Sequence, residues 1–493
     1  MTRLSAATLA ELPASVWTPR YDRAAVRAGV VHLGVGSFHR AHQALYLDRL
    51  LEAGAGQDWG ICGVGVLPAD RRMAEVMAAQ DRLYTLVEKH PDGHLTARVV
   101  GSLVGYRLAP DDPGAVVEAM AAPGTRIVTL TVTEGGYNAS AATGEFDATA
   151  PAVVADLRPG AAPATVFGLV TEALVRRRAR GLPPFAVASC DNVPANGALA
   201  RRSFAAFAGL RDDALGEWVT REVPFPSSMV DRITPVTTDD DRARLAATFG
   251  VEDRWPVVCE PWTQWVLEDA FPAGRPPLED VGVQVVGDVV PYELMKLRLL
   301  NAGHQVLGHL GPLLGHEHVH EATRDPLLRE LLVGYLEEEG TPTLPPVPGT
   351  DLRRYRAELV TRFGNPHVRD TLARIVEHAS DRLPQFLFPV LRANLDRGGE
   401  VRRSAAVVAA WVHGLERRGD AAGLVDARRD RLVAAARRSR EDPLAPLADR
   451  ELFGDLGDRP RFAAAYRAAL DSLRTRGAAA TVEALLRGPL REG

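Results

Sequence analysis

The chain has 493 residues, 46% hydrophobic and 25% charged, with a formal net charge of -5. That balance builds a large core and excludes a disordered tail, a disulfide mini-protein and a basic nucleic-acid-binding surface. At this length two domains are expected.

The N-terminal MTRLSAATLAELPASVW lacks an apolar signal core, and no run reaches membrane-spanning length, so a cytoplasmic protein with no membrane partner is expected. Cys62, Cys190 and Cys259 each sit in an apolar strand-like run, which suits a reducing compartment. Strands are expected at residues 30–36, 59–66, 126–134, 184–192 and 256–261. Helical patterns lie between them, in HRAHQALYLDRLLEAG and TVFGLVTEALVRRRARG, and together they predict an α/β domain with a mostly parallel sheet. From about residue 291 the periodicity is helical only, through ELMKLRLLNAGHQVLGHL, DPLLRELLVGYLEEE, RDTLARIVEHAS, RSAAVVAAWVHGLERRG and RFAAAYRAALDSLRTRG. The expected organisation is an α/β Rossmann-type dinucleotide-binding domain over residues 1–286 and a mostly α-helical substrate domain over 287–493. TPTLPPVPGTD, residues 341–351, reads as a Pro-rich loop.

Gly34-Val35-Gly36 follows the first strand and precedes a helix, the setting in which glycines let backbone amides approach a pyrophosphate. His39 occupies the place of a third glycine, so the general fingerprint is incomplete. After the second strand, Asp70 is placed to accept hydrogen bonds from an adenosine ribose, or equally to cap the helix RRMAEVM. Arg71 and Arg72 beside it keep the 2′-phosphate of NADP open as an alternative to NAD.

Only two of the 58 basic side chains are lysines, Lys89 and Lys296, and asparagine occurs six times. Arginine stays protonated whereas lysine can be deprotonated, so a lysine kept against this bias is a candidate base. Lys89, in the polar stretch VEKHPDGH, reads as a turn residue. Lys296 stands in PYELMKLRLLNAGH, where α-helical spacing puts Glu293 roughly 60°, His304 roughly 80° and Asn301 roughly 140° away. A base, an amide and an imidazole on one arc suit alcohol oxidation, with the amine taking the hydroxyl proton. The bland alternative is a solvated face carrying Glu293 and Lys296 as an ion pair, and Gly303 is a candidate end or kink of the helix. His316, His318 and His320 alternate and do not share a helix face, so no metal is expected there, and Cys190 reads as a buried strand cysteine.

GVGSFHRAHQA (34–44), TLTVTEGGY (129–137), SCDN (189–192), FPSSMVDRITP (225–235), CEPWTQWVLEDAF (259–271) and the Lys-x4-Asn-x2-His helix resemble the polyol-specific long-chain dehydrogenases, the mannitol 2-dehydrogenase and fructuronate reductase family. The resemblance runs from about residue 15 to the C-terminus, and His39 matches the family's own Gly-x-Gly-x-Phe-His-Arg block. It implies a metal-independent, NAD(P)-linked oxidoreductase that interconverts a sugar alcohol and a ketose. It further implies Lys296 as general base, Asn192 and Asn301 as an oxyanion-stabilising pair, His304 orienting substrate and Glu293 at the solvent exit of the proton. Asn192 also ends a strand at the sheet's C-terminal edge, where doubly wound folds place ligands. The implied cofactor contacts are Gly34, Gly36, Phe38, His39, Arg40, Asp70, Thr133 and Glu134. Asp231, Arg374 and Arg382 are implied substrate contacts, with Arg382 standing where the family has a lysine.

GEFDA, TVFG, WPVVCEP and VPGTDL are closer to mannitol 2-dehydrogenases than to fructuronate reductases, so mannitol and fructose are the expected pair. Fructuronate, arabinitol and sorbitol stay open because a few hydroxyl contacts separate such substrates. A dinucleotide-binding sensor without turnover is the alternative of a different class. The resemblance leans towards a monomer.

Overall fold

The computed structural model describes residues 1–138, 145–417 and 424–488, apart from the side chain of Glu134. Two compact units divide it, Met1–Val290 and Pro291–Gly493.

The first unit is built on five parallel strands: β1 (Ala28–Leu33), β2 (Gly60–Gly65), β3 (Leu103–Leu108), β4 (Ile127–Leu130) and β5 (Ala186–Ser189). Their order is β3-β2-β1-β4-β5, so the chain reverses direction across the sheet between β1 and β4. Leu33 lies between Val64 of β2 and Leu130 of β4, which fixes the register at the edge where the loops emerge. Successive side chains point to opposite faces. Val31, Leu33, Val64, Val128, Leu130 and Val187 enter one core with helices Pro113–Ala121, Val166–Ala179 and Asn196–Arg211. Val30, Ile61, Ile127 and Ala188 enter the other with helices Gln43–Glu52 and Arg71–Ala79. Each fully buried aliphatic side chain contributes about 1.5–3 kcal/mol, so both faces demand near-continuous apolar strands.

The expected strand 256–261 is not part of this sheet. Val257–Cys259 edges a four-stranded sheet with the hairpin Tyr84–Lys89 and Leu95–Val100 and the short strand Val16–Trp17. Ser228–Asp231, Gln264–Glu268 and Gln284–Val286 form a third sheet. The sequence reading missed most of these strands: several are short, and the six-residue hairpin strands Tyr84–Lys89 and Leu95–Val100 lack a clean alternation.

The second unit is helical, and among its described residues the sole β pairing is a bridge between His318 and Thr371. Its central helix Arg402–Arg417 buries every side chain from Arg403 to Val412, which requires neighbours on all sides. RDTLARIVEHAS, expected as one helix, is two: Leu372–Ile375 and Ala379–Phe386, separated at His378, whose φ of 54° is left-handed. The Pro-rich loop holds, with Tyr292 Oη donating to the Pro348 carbonyl at 2.8 Å.

Candidate active site

The loops at the C-terminal edge of the parallel sheet carry the expected cofactor residues. Gly34 has φ 93°, and a Cβ there would lie 2.3 Å from the Thr131 carbonyl, so only glycine fits. A Cβ at Gly36 would meet nothing closer than 3.9 Å, which leaves this backbone open to a ligand. The turn is fastened to β4: Thr131 Oγ1 donates to the Gly34 carbonyl at 2.7 Å. Thr131 Oγ1 therefore accepts from His32 Nε2 at 2.9 Å, and His32 Nδ1 accepts from Thr129 Oγ1 at 2.7 Å. Burial pushes the His32 imidazole down to about 3, keeping it neutral.

His39 and Arg40, expected as cofactor contacts, are interior side chains with no exposed surface. The His39 ring stacks on His32 with centroids 3.4 Å apart, and burial holds it well below the usual imidazole range. Arg40 Nη1 donates to the Trp255 carbonyl at 2.5 Å, its guanidinium faces the Tyr84 ring, and Tyr84 Oη donates to the Arg40 carbonyl. These two side chains hold the helix start in place, and any ligand contact they make runs through backbone. Phe38 is half-buried and stacks on His42 at 5.0 Å.

Asp70 does not cap its helix. Its Oδ2 accepts from the Val66 and Leu67 amides at 2.8 and 2.9 Å, which shapes the turn after β2. Both neighbouring arginines are engaged elsewhere: Arg71 makes a two-pronged pair with Asp111 at 2.5 and 3.0 Å, and Arg72 lies over Trp255.

After β4 the backbone is strained. Thr133 has φ 64° and ψ 173°, a region nearly confined to glycine that costs about 1–3 kcal/mol in other residues. Asp191, missed by the sequence reading, holds it: Oδ1 accepts from the Thr133 amide at 2.8 Å and Oδ2 from Tyr137 Oη at 2.6 Å. Burial and the Asp191 carboxylate push the Tyr137 phenol well above its usual range. Glu134 opens the short turn Glu134–Tyr137, and its side chain lies outside the described structure. Asn192 is exposed immediately after Asp191, at the sheet edge. Asn196 fixes that loop by donating to the Asp191 and Ser228 carbonyls at 3.0 and 2.7 Å while accepting from the Ser228 amide. Asp231, 4% exposed, ends its strand and accepts from Trp262 Nε1 at 3.2 Å.

In the helical unit, Glu293 lies half-buried on Val290–Met295, and a π-helical turn, Lys296–Asn301, joins it to the α-helix Ala302–Leu310. Regular α-helical spacing put Asn301 on the margin of the polar arc. In a π turn the hydrogen bonds close from i to i+5, as from Ala302 N–H to the Leu297 carbonyl, so Asn301 comes back over Lys296. Gly303 neither ends nor kinks the helix; it clears room against Leu332 and Phe363. Lys296 and Asn301 are each 7% exposed and His304 is 9% exposed, its ring stacked on Phe363 at 4.1 Å. That burial does not match a solvated helix face.

Arg374 pairs through both prongs with Asp370, Nε lying 2.7 Å from Oδ1. Arg382 Nη1 donates to the Arg374 and Ile375 carbonyls at 2.8 Å, closing the end of the short helix. Lys89 ends a strand rather than forming a turn, and its amine is 2.6 Å from Asp241. His316 and His318 pair with Asp325 and Glu321. Cys190 is buried, and burial pushes its thiol up, away from reactivity. No helix among the described residues is long and apolar enough to cross a membrane.

A family model described as the mannitol dehydrogenase Rossmann domain matches residues 28–280, and one described as the mannitol dehydrogenase C-terminal domain matches 288–474. The chain is 45% identical over 475 residues to a mannitol 2-dehydrogenase of Cereibacter sphaeroides, covering 96% of this chain and 99% of the relative. Among solved structures it is similar to Pseudomonas fluorescens mannitol 2-dehydrogenase in a ternary complex with NAD and D-mannitol, with a TM-score of 0.89, 42% identity and coverage of 99% and 100%. A substrate-free D-sorbitol dehydrogenase matches with a TM-score of 0.89, 38% identity and coverage of 97% and 100%. The chain belongs to the mannitol dehydrogenase family.

Proposed function

We propose that the chain oxidises D-mannitol at C2 to D-fructose with NAD, and runs the reverse reduction, with Lys296 as general base. The observation that carries this reading is a buried lysine at the head of a π turn that also places Asn301, one turn before His304. NAD, when bound, accepts the hydride from the carbinol carbon. The open backbone at Gly36 and the fixed turn at Gly34 fit its pyrophosphate, Asp70 its adenosine ribose, and the Thr133 loop the reacting end.

In this mechanism the neutral Lys296 amine takes the hydroxyl proton as the C–H bond breaks. The side-chain amides of Asn301 and Asn192 donate to the oxygen as charge develops there, and His304 orients the neighbouring hydroxyl. Glu293 passes the proton from Lys296 to water. Proton transfer to an amine requires no metal.

Engagement of Arg71 by Asp111 and of Arg72 by Trp255 leaves Asp70 to select the ribose hydroxyl, which favours NAD over NADP. A neutral substrate is favoured because a hexuronate carboxylate would need a cation, and Arg374 is already neutralised by Asp370. Asp231 and Arg382 remain the substrate contacts of this reading. The similarity to a D-sorbitol dehydrogenase makes sorbitol a second polyol to compare. The same reading makes the protein a cytoplasmic monomer. The test is NAD reduction with mannitol, sorbitol, arabinitol and mannonate: kcat/KM should be highest for mannitol, and a highest value for mannonate would overturn the assignment.

A further inference from the structure

The first 27 residues precede the family match, yet they are tied into the first unit. Thr2–Arg3 pairs with Val251–Glu252, and Val16–Trp17 pairs with Ala97–Arg98. Between this segment and the four-stranded sheet lies a cleft of about 540 Å³, whose lining includes Trp17, Arg20, Arg49, Glu88, Thr96 and Arg98.

The charges in this cleft do not cancel. Its acid, Glu88, is committed: Oε1 accepts from Arg232 Nη2 at 2.6 Å and Oε2 from Thr96 Oγ1 at 3.1 Å. Arg98 reaches Asp48 at 3.3 Å, but that carboxylate also accepts from Tyr21 Oη and the Gly101 amide. The Arg20 backbone amide donates to Glu52 Oε1 at 2.7 Å, but among the described residues neither the Arg20 nor the Arg49 guanidinium has a carboxylate within 4.0 Å. Arg49 is half-buried, and burial, with the charges of Arg232 and Arg98 nearby, disfavours its protonated form while Glu88 supports it. Trp17 is 44% exposed, and the guanidinium carbons of Arg20 and Arg98 lie 4.9 and 4.8 Å from its ring centroid. The indole thus holds two guanidinium groups by cation–π attraction; Arg98 Nη1 is engaged by Asp48, and no carboxylate takes the Arg20 guanidinium. Guanidinium N–H edges match the oxygens of a phosphate, which accept from several forks at once.

We propose that this cleft binds a phosphate-bearing small molecule of at least two negative charges, held by Arg20, Arg49 and Arg98. None of these residues belongs to the set assigned to cofactor or polyol. The bound anion would relieve the repulsion among Arg49, Arg98 and Arg232, which Glu88 and Asp48 offset only in part.

The test is isothermal titration of the full chain with pyrophosphate at saturating NADH, so that the dinucleotide site is filled. The expected result is one pyrophosphate per chain with a dissociation constant below about 1 mM. In Arg20→Gln/Arg49→Gln that constant should rise about tenfold or more, with NADH affinity unchanged. Arg20→Gln alone, at an exposed position, carries the test should the double variant not fold. A parallel titration with citrate distinguishes phosphate from carboxylate, and citrate binding more tightly than pyrophosphate would overturn the phosphate assignment. No heat from pyrophosphate with the NADH-saturated protein, or equal affinity in the variants, would overturn the site itself.

Discussion

Lys296 is buried where a generic positive charge would be costly, which gives a concrete reason for lysine rather than arginine there. Lys296→Ala should lower kcat for mannitol oxidation about 10²–10⁴-fold, the usual worth of a positioned base, with NADH binding intact by fluorescence. Equal turnover in mutant and wild type would remove the lysine from the chemistry. Asp70→Ala should shift the NADP-to-NAD ratio of kcat/KM upwards by roughly tenfold, or about 1.4 kcal/mol. An unchanged ratio would reduce Asp70 to its observed role of bonding the Val66 and Leu67 amides. Single residues were legible in the sequence where their chemistry is local and scarce, as with Lys296 and its helix. They were not legible where the partner is remote. Arg40 is fixed by the Trp255 carbonyl and Thr133 by Asp191, contacts that span 215 and 58 positions, and no spacing rule reveals them.

At the level of elements, the π turn Lys296–Asn301 carries the functional spacing. A π turn holds one more residue per hydrogen-bonded loop than an α turn, so it rotates the downstream helix relative to the upstream one. Inserting one alanine after Arg298, whose side chain is partly exposed, should turn Asn301 by about 100° relative to Lys296. Helicity by circular dichroism should be retained while mannitol oxidation is lost; full activity in the insertion variant would show that the facing of Asn301 and Lys296 is not needed. The helix itself was legible from its apolar periodicity, but the π turn was not, since it changes hydrogen bonding without altering the pattern of apolar residues. The inner parallel strands were legible for the opposite reason, since burial on both faces forces continuous apolar runs, whereas the edge strand Leu103–Leu108, partly exposed in its middle, was not foreseen. The smaller sheets, with strands such as Val257–Cys259 and Gln284–Val286 only three residues long, offer no such run.

For the molecule as a whole, the family likeness spans both units, and each contributes residues to the proposed chemistry. The dinucleotide edge belongs to Met1–Val290, and the base, an amide and the imidazole belong to Pro291–Gly493. The sequence therefore made the reaction type legible through motifs on both sides of the boundary. Substrate choice was less legible, because mannitol, sorbitol and fructuronate differ in groups that any of many arginines or hydroxyls could read. The structure narrows this in part: Arg374, held by Asp370, does not offer an uncommitted charge to a carboxylate. The direct measurement is the rate of NADH consumption by the purified chain with D-fructose beside an identical assay with D-fructuronate. Consumption with fructose, and little with fructuronate, is the predicted result. Consumption with fructuronate alone would contradict the mannitol assignment and place the enzyme's activity on hexuronates.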